Sequence, residues 1–262
     1  AHRAIWARRM MHEGWYGLTQ YDRVLHAGAF NWTYTLGTGL MDPWTLGATA
    51  LIPAANTPLI NISTLLTKYN ATIFAAAPGV YRQLLKSGIR PILSLKHALS
   101  AGEKLPDSTR AAWSAATNTS IFEAYGMSEC STFISGSPSQ PADKGTLGYP
   151  QLGRRVTLLD ENGTSSYIGQ IAVHKSDPGL MLGYLNAPKD TAARFSADWF
   201  LTGDIGHRLS SGAIAYEGRV DDMMNAGGYR VSPIEVESAL AQYPNIYEVA
   251  AVELGIKSDT SV

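Results

Sequence analysis

The sequence predicts an α/β fold: a mainly parallel, doubly wound sheet plus a small antiparallel β-barrel-like unit, followed by the start of a small α+β C-terminal domain. Three observations predict it. Short apolar runs alternate with helically spaced segments through the first half. From about residue 136 the apolar period falls to two. At Ser232-Pro233-Ile234-Glu235 a capping signature then opens a new helical stretch. These changes set limits at residues 1–135, 136–220 and 221–262.

In chain order, residues 3–13 are expected to form a helix with Trp6 and Met10 on one face. Val24-Leu25 opens a strand, and residues 30–52 are rich in aromatics and glycine. Pro58 starts a helix with Ile62, Leu65, Leu66 and Tyr69 at helical spacing. Residues 72–75 read as a short buried strand, and residues 79–86 as a helix closed by Gly88. Residues 96–99 are strand, Asp107 caps a helix to about Ala116, and residues 120–123 are strand again. Strand and helix at this spacing imply right-handed crossovers and a sheet covered on both faces. After a loop at 135–141, residues 156–159 and 170–173 flank Asp160-Glu161-Asn162-Gly163, a hairpin signal. Residues 213–216 add a strand. Ser232 as cap, Pro233 at the first helical position and Glu235 at the third begin a helix carrying Val236, Ala239, Leu240 and Tyr243 on one stripe. It stops before Pro244, and a strand at 247–252 follows.

The formal net charge of −1 over 262 residues gives no reason to expect nucleic-acid binding. Cys130 is the only cysteine, so no internal disulfide forms and a reducing compartment is expected. The first residues lack the apolar core of a signal peptide. The most apolar region, residues 43–55, is short and broken by Pro43, Gly47 and Pro53, too broken to span a bilayer. A cytoplasmic protein with no membrane partner is the expectation.

The chemistry concentrates in residues 199–237. Thr202-Gly203-Asp204 reads as a turn that leaves one carboxylate facing out, followed by Arg219, Asp221-Asp222, Gly227-Gly228 and Arg230. Carboxylates suit sugar hydroxyls, guanidinium forks suit phosphate, and adjacent glycines let a ligand approach the backbone. Two loops after predicted strands add to this. In Ser100-Ala101-Gly102-Glu103, small residues let a flat ring lie on the backbone. Tyr125-Gly126-Met127-Ser128-Glu129, after a strand ending at Glu123, offers a ring to stack on, a hydroxyl and amides for phosphate, and a carboxylate for a hard cation. Cys130 reads as a packing residue, and His26, His97, His174 and His207 show no metal-ligand spacing.

In this order, the two loops, Gly169-Gln170-Ile171 with Gly183-Tyr184, Thr202-Gly203-Asp204 and the 218–237 block resemble the AMP-forming acyl-CoA synthetases of the adenylate-forming superfamily. Residues 75–81, 100–106 and 218–237 look most like benzoate- and other aryl-CoA ligases. Gln170 stands where the family's Gly-Glu-Leu stretch usually has glutamate.

The resemblance implies an ATP-dependent ligase that joins a small carboxylic acid, aromatic acids included, to AMP and then to coenzyme A. By similarity, Gly102-Glu103 and Tyr125-Gly126-Met127 flank adenine, with Glu123 as an acceptor near its amino group. Ser128 contacts phosphate and Glu129 holds Mg²⁺ between phosphate oxygens. Asp204 takes the ribose hydroxyls with Arg219 close by. Asp221 is the hinge of the small domain, Gly227 and Gly228 border the pantetheine tunnel, and Arg230 lies near phosphate in one pose. Trp32, Thr33 and Tyr34 are candidates for the acyl pocket, against an ordinary core role. The family's phosphate loop is expected just before residue 1 and its adenylating lysine well beyond Val262, so the chain reads as an internal, inactive piece. The resemblance also admits an adenylation domain that loads a carrier protein, and a remnant that binds AMP or acyl-adenylate without turnover.

Overall fold

A computed structural model describes residues 2–226, 229–240, 243, 245–246 and 249–253. It divides into two compact units, one running to Arg155 and including Ser176–Tyr184, the other made of Val156–Lys175 and the chain from Leu185 onward.

The first unit opens with α1 (Arg3–Ala7), β1 (Arg23–His26), α2 (Thr33–Leu36), α3 (Asp42–Leu46) and β2 (Thr49–Leu51). It continues through α4 (Ile62–Lys68), β3 (Ile73–Ala76), α5 (Pro78–Lys86), β4 (His97–Ala101) and α6 (Asp107–Thr117). It ends with β5 (Ile121–Met127), β6 (Ser131–Ser135) and β7 (Tyr149–Pro150). The strands form one sheet in the order β2-β1-β3-β4-β5-β6-β7, parallel from β2 to β5 and antiparallel beyond. Every residue of β3 and β4 is buried. Both faces are covered, because Phe74, Ala76 and Ala98 join one apolar cluster while Ile73, Ala75 and Leu99 join another. β3 accordingly reads as an unbroken apolar run, while β4 also buries His97 and Ser100. The first cluster centres on Trp113 of α6, which stacks on Phe74 at 5.9 Å and meets Tyr81 edge-on at 4.8 Å. Emptying a site like Trp113 costs about 3–5 kcal/mol.

Several expectations need correction. The helix over 3–13 is two pieces, α1 and a π-type turn His12–Tyr16, and it buries Ala7 and Met11 while Trp6 is exposed. Asp107 is the first helical residue of α6, not its cap: Pro106 holds the cap position without a side-chain bond. On α4 only Ile62 and Leu66 are buried, and Tyr69 lies outside the helix and exposed. The 30–52 run folds as α2, a π-type turn Gly37–Met41 and α3.

The second unit holds β8 (Val156–Leu159), β9 (Ile168–His174), α7 (Pro188–Ala193), β10 (Phe195–Ser196), β11 (Trp199–Arg208) and β12 (Ile214–Arg219). These strands make a curled, antiparallel half-barrel in which β11 pairs with β9, β10 and β12. The expected hairpin is present, with Val156 opposite Val173 and Leu159 opposite Gln170. Beyond it, β13 (Met224–Ala226) pairs with β14 (Tyr229–Val231), and α8 (Pro233–Leu240) follows. The buried Ser232 caps α8 as expected: Glu235 N–H donates to its hydroxyl oxygen at 3.3 Å. The strand expected at 247–252 is not found: Val249, Ala250, Ala251 and Val252 form none, and Tyr247 and Glu248 lie outside the described residues. Among the described residues, no helix is long and apolar enough to cross a membrane.

Candidate functional site

In the first unit the sequence-predicted residues gather at the carboxyl ends of β4 and β5, where open α/β sheets present ligands. Ala101 pairs with Ala124, so Gly102 and Tyr125 are the next residues along neighbouring strands. Gly102 and Glu103 are exposed. The flat ring lying on Gly102 is the chain's own Trp32, whose indole would meet a Cβ there at 2.6 Å. Its ring stands edge-on to Tyr34 at 5.2 Å, and the buried Tyr34 hydroxyl donates to Leu99 O at 3.2 Å. Tyr34 is therefore core, and Trp32 is half exposed beside it.

Glu123 is buried, and both its oxygens are engaged within the chain. Leu105 N–H donates to Oε1 at 2.8 Å, and Arg110 Nη2 to Oε2 at 2.7 Å. Burial pushes this carboxyl up, against the opposing pull of the Leu105 amide and Arg110. In the structure it fastens the segment after Gly102 to β5.

The Tyr125–Glu129 segment is not a loop after Glu123, because β5 runs on through Met127 and turns tightly into β6. The register slips between Tyr125 and Gly126, and a Cβ at Gly126 would lie 2.2 Å from Ser131 O. Only glycine fits so close a backbone approach. Tyr125 meets Phe133 edge-on at 5.3 Å, Ser128 is exposed, and Glu129 is half-buried with Tyr184 donating to its Oε1 at 2.7 Å. Cys130 is fully buried, and burial pushes its thiol up to about 12, which suits packing and not nucleophilic attack.

Sequence reasoning missed the ionic network beneath this turn. Arg8 grips Asp42 with Nε and Nη2 at 2.9 and 2.6 Å and reaches Ser131 Oγ with Nη1 at 2.6 Å. The fully buried Tyr16 donates to the same Asp42 carboxylate at 2.7 Å. A lone aspartate between Met41 and Pro43 was the available signal, since an unpaired carboxylate is not buried.

In the second unit Asp204, Arg219 and Asp221 form one connected set. Thr202-Gly203-Asp204 is a bulge within β11, not a turn: the register shifts between Leu201 and Ile205, and the carboxylate is buried, not facing out. Arg219, opposite Asp204 on β12, places Nη1 3.5 Å from Asp204 Oδ1 and donates from Nε to Asp221 at 3.0 Å. Tyr216 donates to Asp204 at 3.4 Å, and burial, then the nearby Asp204 charge, pushes its hydroxyl up to about 12. The exposed Asp221 carboxyl is held below its usual range by its own backbone N–H and by Arg219. Arg230 sits on β14 opposite Asn225, and Gly227 and Gly228 lie outside the described residues.

Among the described residues, no group of three or more histidine, cysteine, aspartate or glutamate side chains could hold a metal. Mg²⁺ needs no such cage, since it takes one or two carboxylates and fills its remaining positions with substrate phosphates and water. Glu129 is a donor of that kind.

The family model for the AMP-binding enzyme matches residues 1–185. The chain is 32% identical over 249 residues to the mitochondrial acyl-coenzyme A synthetase ACSM3 of Rattus norvegicus, covering 91% of this chain and 43% of that protein. It is 33% identical over 243 residues to the benzoate–CoA ligase of Thauera aromatica, covering 90% and 46%. The fold superposes on the anthranilate CoA ligase AuaEII, crystallised with anthranoyl-AMP, at a TM-score of 0.86 with 29% identity, over 99% of this chain and 51% of that one. The chain thus spans about half the length of the relatives it matches. With this match on its α/β and half-barrel fold, the chain belongs to the AMP-binding enzyme family, and the relatives it matches are acyl-CoA synthetases and CoA ligases.

Proposed function

We propose that the protein carrying this chain is an ATP-dependent acid–thiol ligase acting on a small, aromatic carboxylic acid. The observation that carries the reading is the β5–β6 turn. At the end of a parallel strand it sets a half-exposed Tyr125 ring, the exposed Ser128 hydroxyl and the Glu129 carboxylate within five residues. That is one group each for a base, a phosphate and a hard cation. The benzoate–CoA ligase relative and the neighbour crystallised with anthranoyl-AMP support an aromatic substrate.

In this reading a carboxylate oxygen of the acid attacks the α-phosphorus of ATP and pyrophosphate leaves. The thiol sulfur of coenzyme A then attacks the acyl carbonyl carbon, its proton is lost to solvent, and AMP leaves. Gly102, Glu103 and Tyr125-Gly126-Met127 bind the adenine, Glu123, engaged by Leu105 and Arg110, holds the segment after Gly102 to β5, and Ser128 donates to phosphate. Asp204 accepts from the ribose hydroxyls, oriented by Tyr216 and Arg219. Glu129 would hold Mg²⁺, which when bound neutralises charge on the phosphate oxygens. Asp221 is the proposed hinge, with Arg230 near phosphate and Gly227 and Gly228 along the pantetheine path. The single, buried cysteine suits a reducing compartment, for which the cytoplasm is our proposal.

Pyrophosphate release by the full-length protein, measured with a panel of carboxylic acids, is the test. Release is expected with benzoate-like acids and ATP, and it should be followed by CoA-ester formation. No release with any acid would reject the reading.

A further inference from the structure

We propose that Tyr184 is a positioning residue for Glu129, and that the segment Ser176–Tyr184 is a strap which aims this carboxylate at the metal. The inference rests on the assignment of Glu129 to Mg²⁺ made above.

The strap is fixed at its start by a fully buried ion pair. Arg154 and Asp177 are both without side-chain exposure, with Arg154 Nε 3.3 Å from Asp177 Oδ2. The Asp177 carboxylate also accepts the N–H of Arg155 and of Gly179, each at 2.8 Å. Arg154 Nη2 donates at 2.8 Å to the carbonyl of Cys130, the residue that follows Glu129. One guanidinium thus ties the start of the strap to the turn that carries the candidate metal ligand.

At its far end the strap meets Glu129 twice. Met181 N–H donates to the Glu129 carbonyl at 2.6 Å, and the Tyr184 hydroxyl donates to Glu129 Oε1 at 2.7 Å. Just before this end Leu180 is buried, whereas Leu182 within it is 75% exposed. Arg3 Nη2 also holds this stretch, donating to Leu180 O at 2.6 Å, while the bonds from Met181 and Tyr184 converge on one glutamate.

A glutamate on a hairpin turn has three rotatable side-chain bonds. A hydrogen bond to one oxygen removes most of that freedom, while the second oxygen and its lone pairs stay free for a cation. Partners that orient a metal ligand in this way also raise its affinity, and losing them costs about 10–100-fold in metal affinity or activity. Tyrosine suits the task because its rigid ring carries a single donor and brings no competing charge.

The test is Tyr184→Phe in the full-length protein, with Mn²⁺ as the spectroscopic probe of the metal site, titrated with and without ATP by electron paramagnetic resonance. The expected result is ATP-dependent Mn²⁺ binding weakened by about tenfold or more, with an equal rise in the Mg²⁺ needed for half-maximal pyrophosphate release. The KM for the acid and the melting temperature should not move. In a Glu129→Gln background, adding Tyr184→Phe should cost nothing further, because the carboxylate it orients is gone. Unchanged Mn²⁺ affinity would overturn the proposal. So would a loss that persists in the Glu129→Gln background, or one that tracks a fall in melting temperature, since either marks a purely structural contact. The wild type separates the two levels. Absence of both an ATP-dependent Mn²⁺ site and pyrophosphate release overturns the ligase reading; a competent wild type with an indifferent Tyr184→Phe overturns the positioning role alone.

Discussion

Asp204 shows how a single carboxylate can be buried and still be available. It is 7% exposed, its Oδ1 faces both Tyr216 and Arg219, and Arg219 shares its charge with Asp221. The Arg219 side chain is 42% exposed, so water supports it without Asp204. Truncating Asp204 should therefore affect a bound ribose more than it affects the fold. A hydrogen bond to a charged group contributes about 1.5–3 kcal/mol, so Asp204→Ala is expected to weaken AMP binding by about ten- to a hundredfold. Calorimetry with AMP on the full-length protein checks this, and equal affinity in variant and wild type would remove Asp204 from the nucleotide site.

At the scale of elements, the strap depends on the pairing of Arg154 with Asp177. Removing one partner of a fully buried ion pair leaves the other charge without compensation, at a cost of about 3–5 kcal/mol. Asp177→Ala should show a loss of that size in urea unfolding. The double change Arg154→Met with Asp177→Leu should recover part of it, because well-packed apolar groups often replace such a pair at little cost. Full recovery is not expected, since Arg154 also serves the Cys130 carbonyl. Recovery no better than the single variant would show that the pair does more than compensate its own burial.

Which elements were legible in the sequence follows from the range of the forces that set them. Residues 72–75 announced β3 because a strand buried on both faces reads as an apolar run. Residues 96–99 and 120–123 announced β4 and β5 by the apolar pairs Ala98-Leu99 and Ile121-Phe122 between helical segments. Ser232-Pro233-Ile234-Glu235 announced α8 because a cap acts within one turn. The errors came from distant partners. β5 extends through Met127 because β6 pairs with it, and Gly203 signalled a turn where β9 and β12 instead hold a bulged strand together. Arg8 and Asp42 lie 34 positions apart, so no local pattern links them. In the candidate site, residue types were legible and attachments were not: Glu123 was visible as an acceptor, its engagement by Leu105 and Arg110 was not.

For the molecule as a whole, stability should be sensitive to acid, and the reason lies in the histidines of the first unit. His12, His26 and His97 are buried, and desolvation pushes each imidazole down. His97 has a backbone partner, with Nε2 2.7 Å from Tyr16 O, whereas neither ring nitrogen of His26 has a hydrogen-bond partner among the described residues. His26 is pushed from its usual 6.5 to about 3. Between these values the unfolded chain takes up a proton that the folded state refuses. The neutral-histidine contribution is therefore complete above about pH 6.5 and is lost as pH falls toward 3. Within that window His26 costs about 1.4 kcal/mol per pH unit. Glu123, pushed up by burial, works in the opposite sense by holding its proton longer in the folded state, so it offsets part of the loss at the acid end. His26→Leu should flatten the fall in unfolding free energy between pH 7 and pH 5 by about 2 kcal/mol without removing it, since His12 and His97 remain. Urea unfolding of wild type and variant at the two pH values measures the difference. Parallel curves would mean that His26 accepts its proton in the folded state, and its burial would then need a partner that the present fold does not supply.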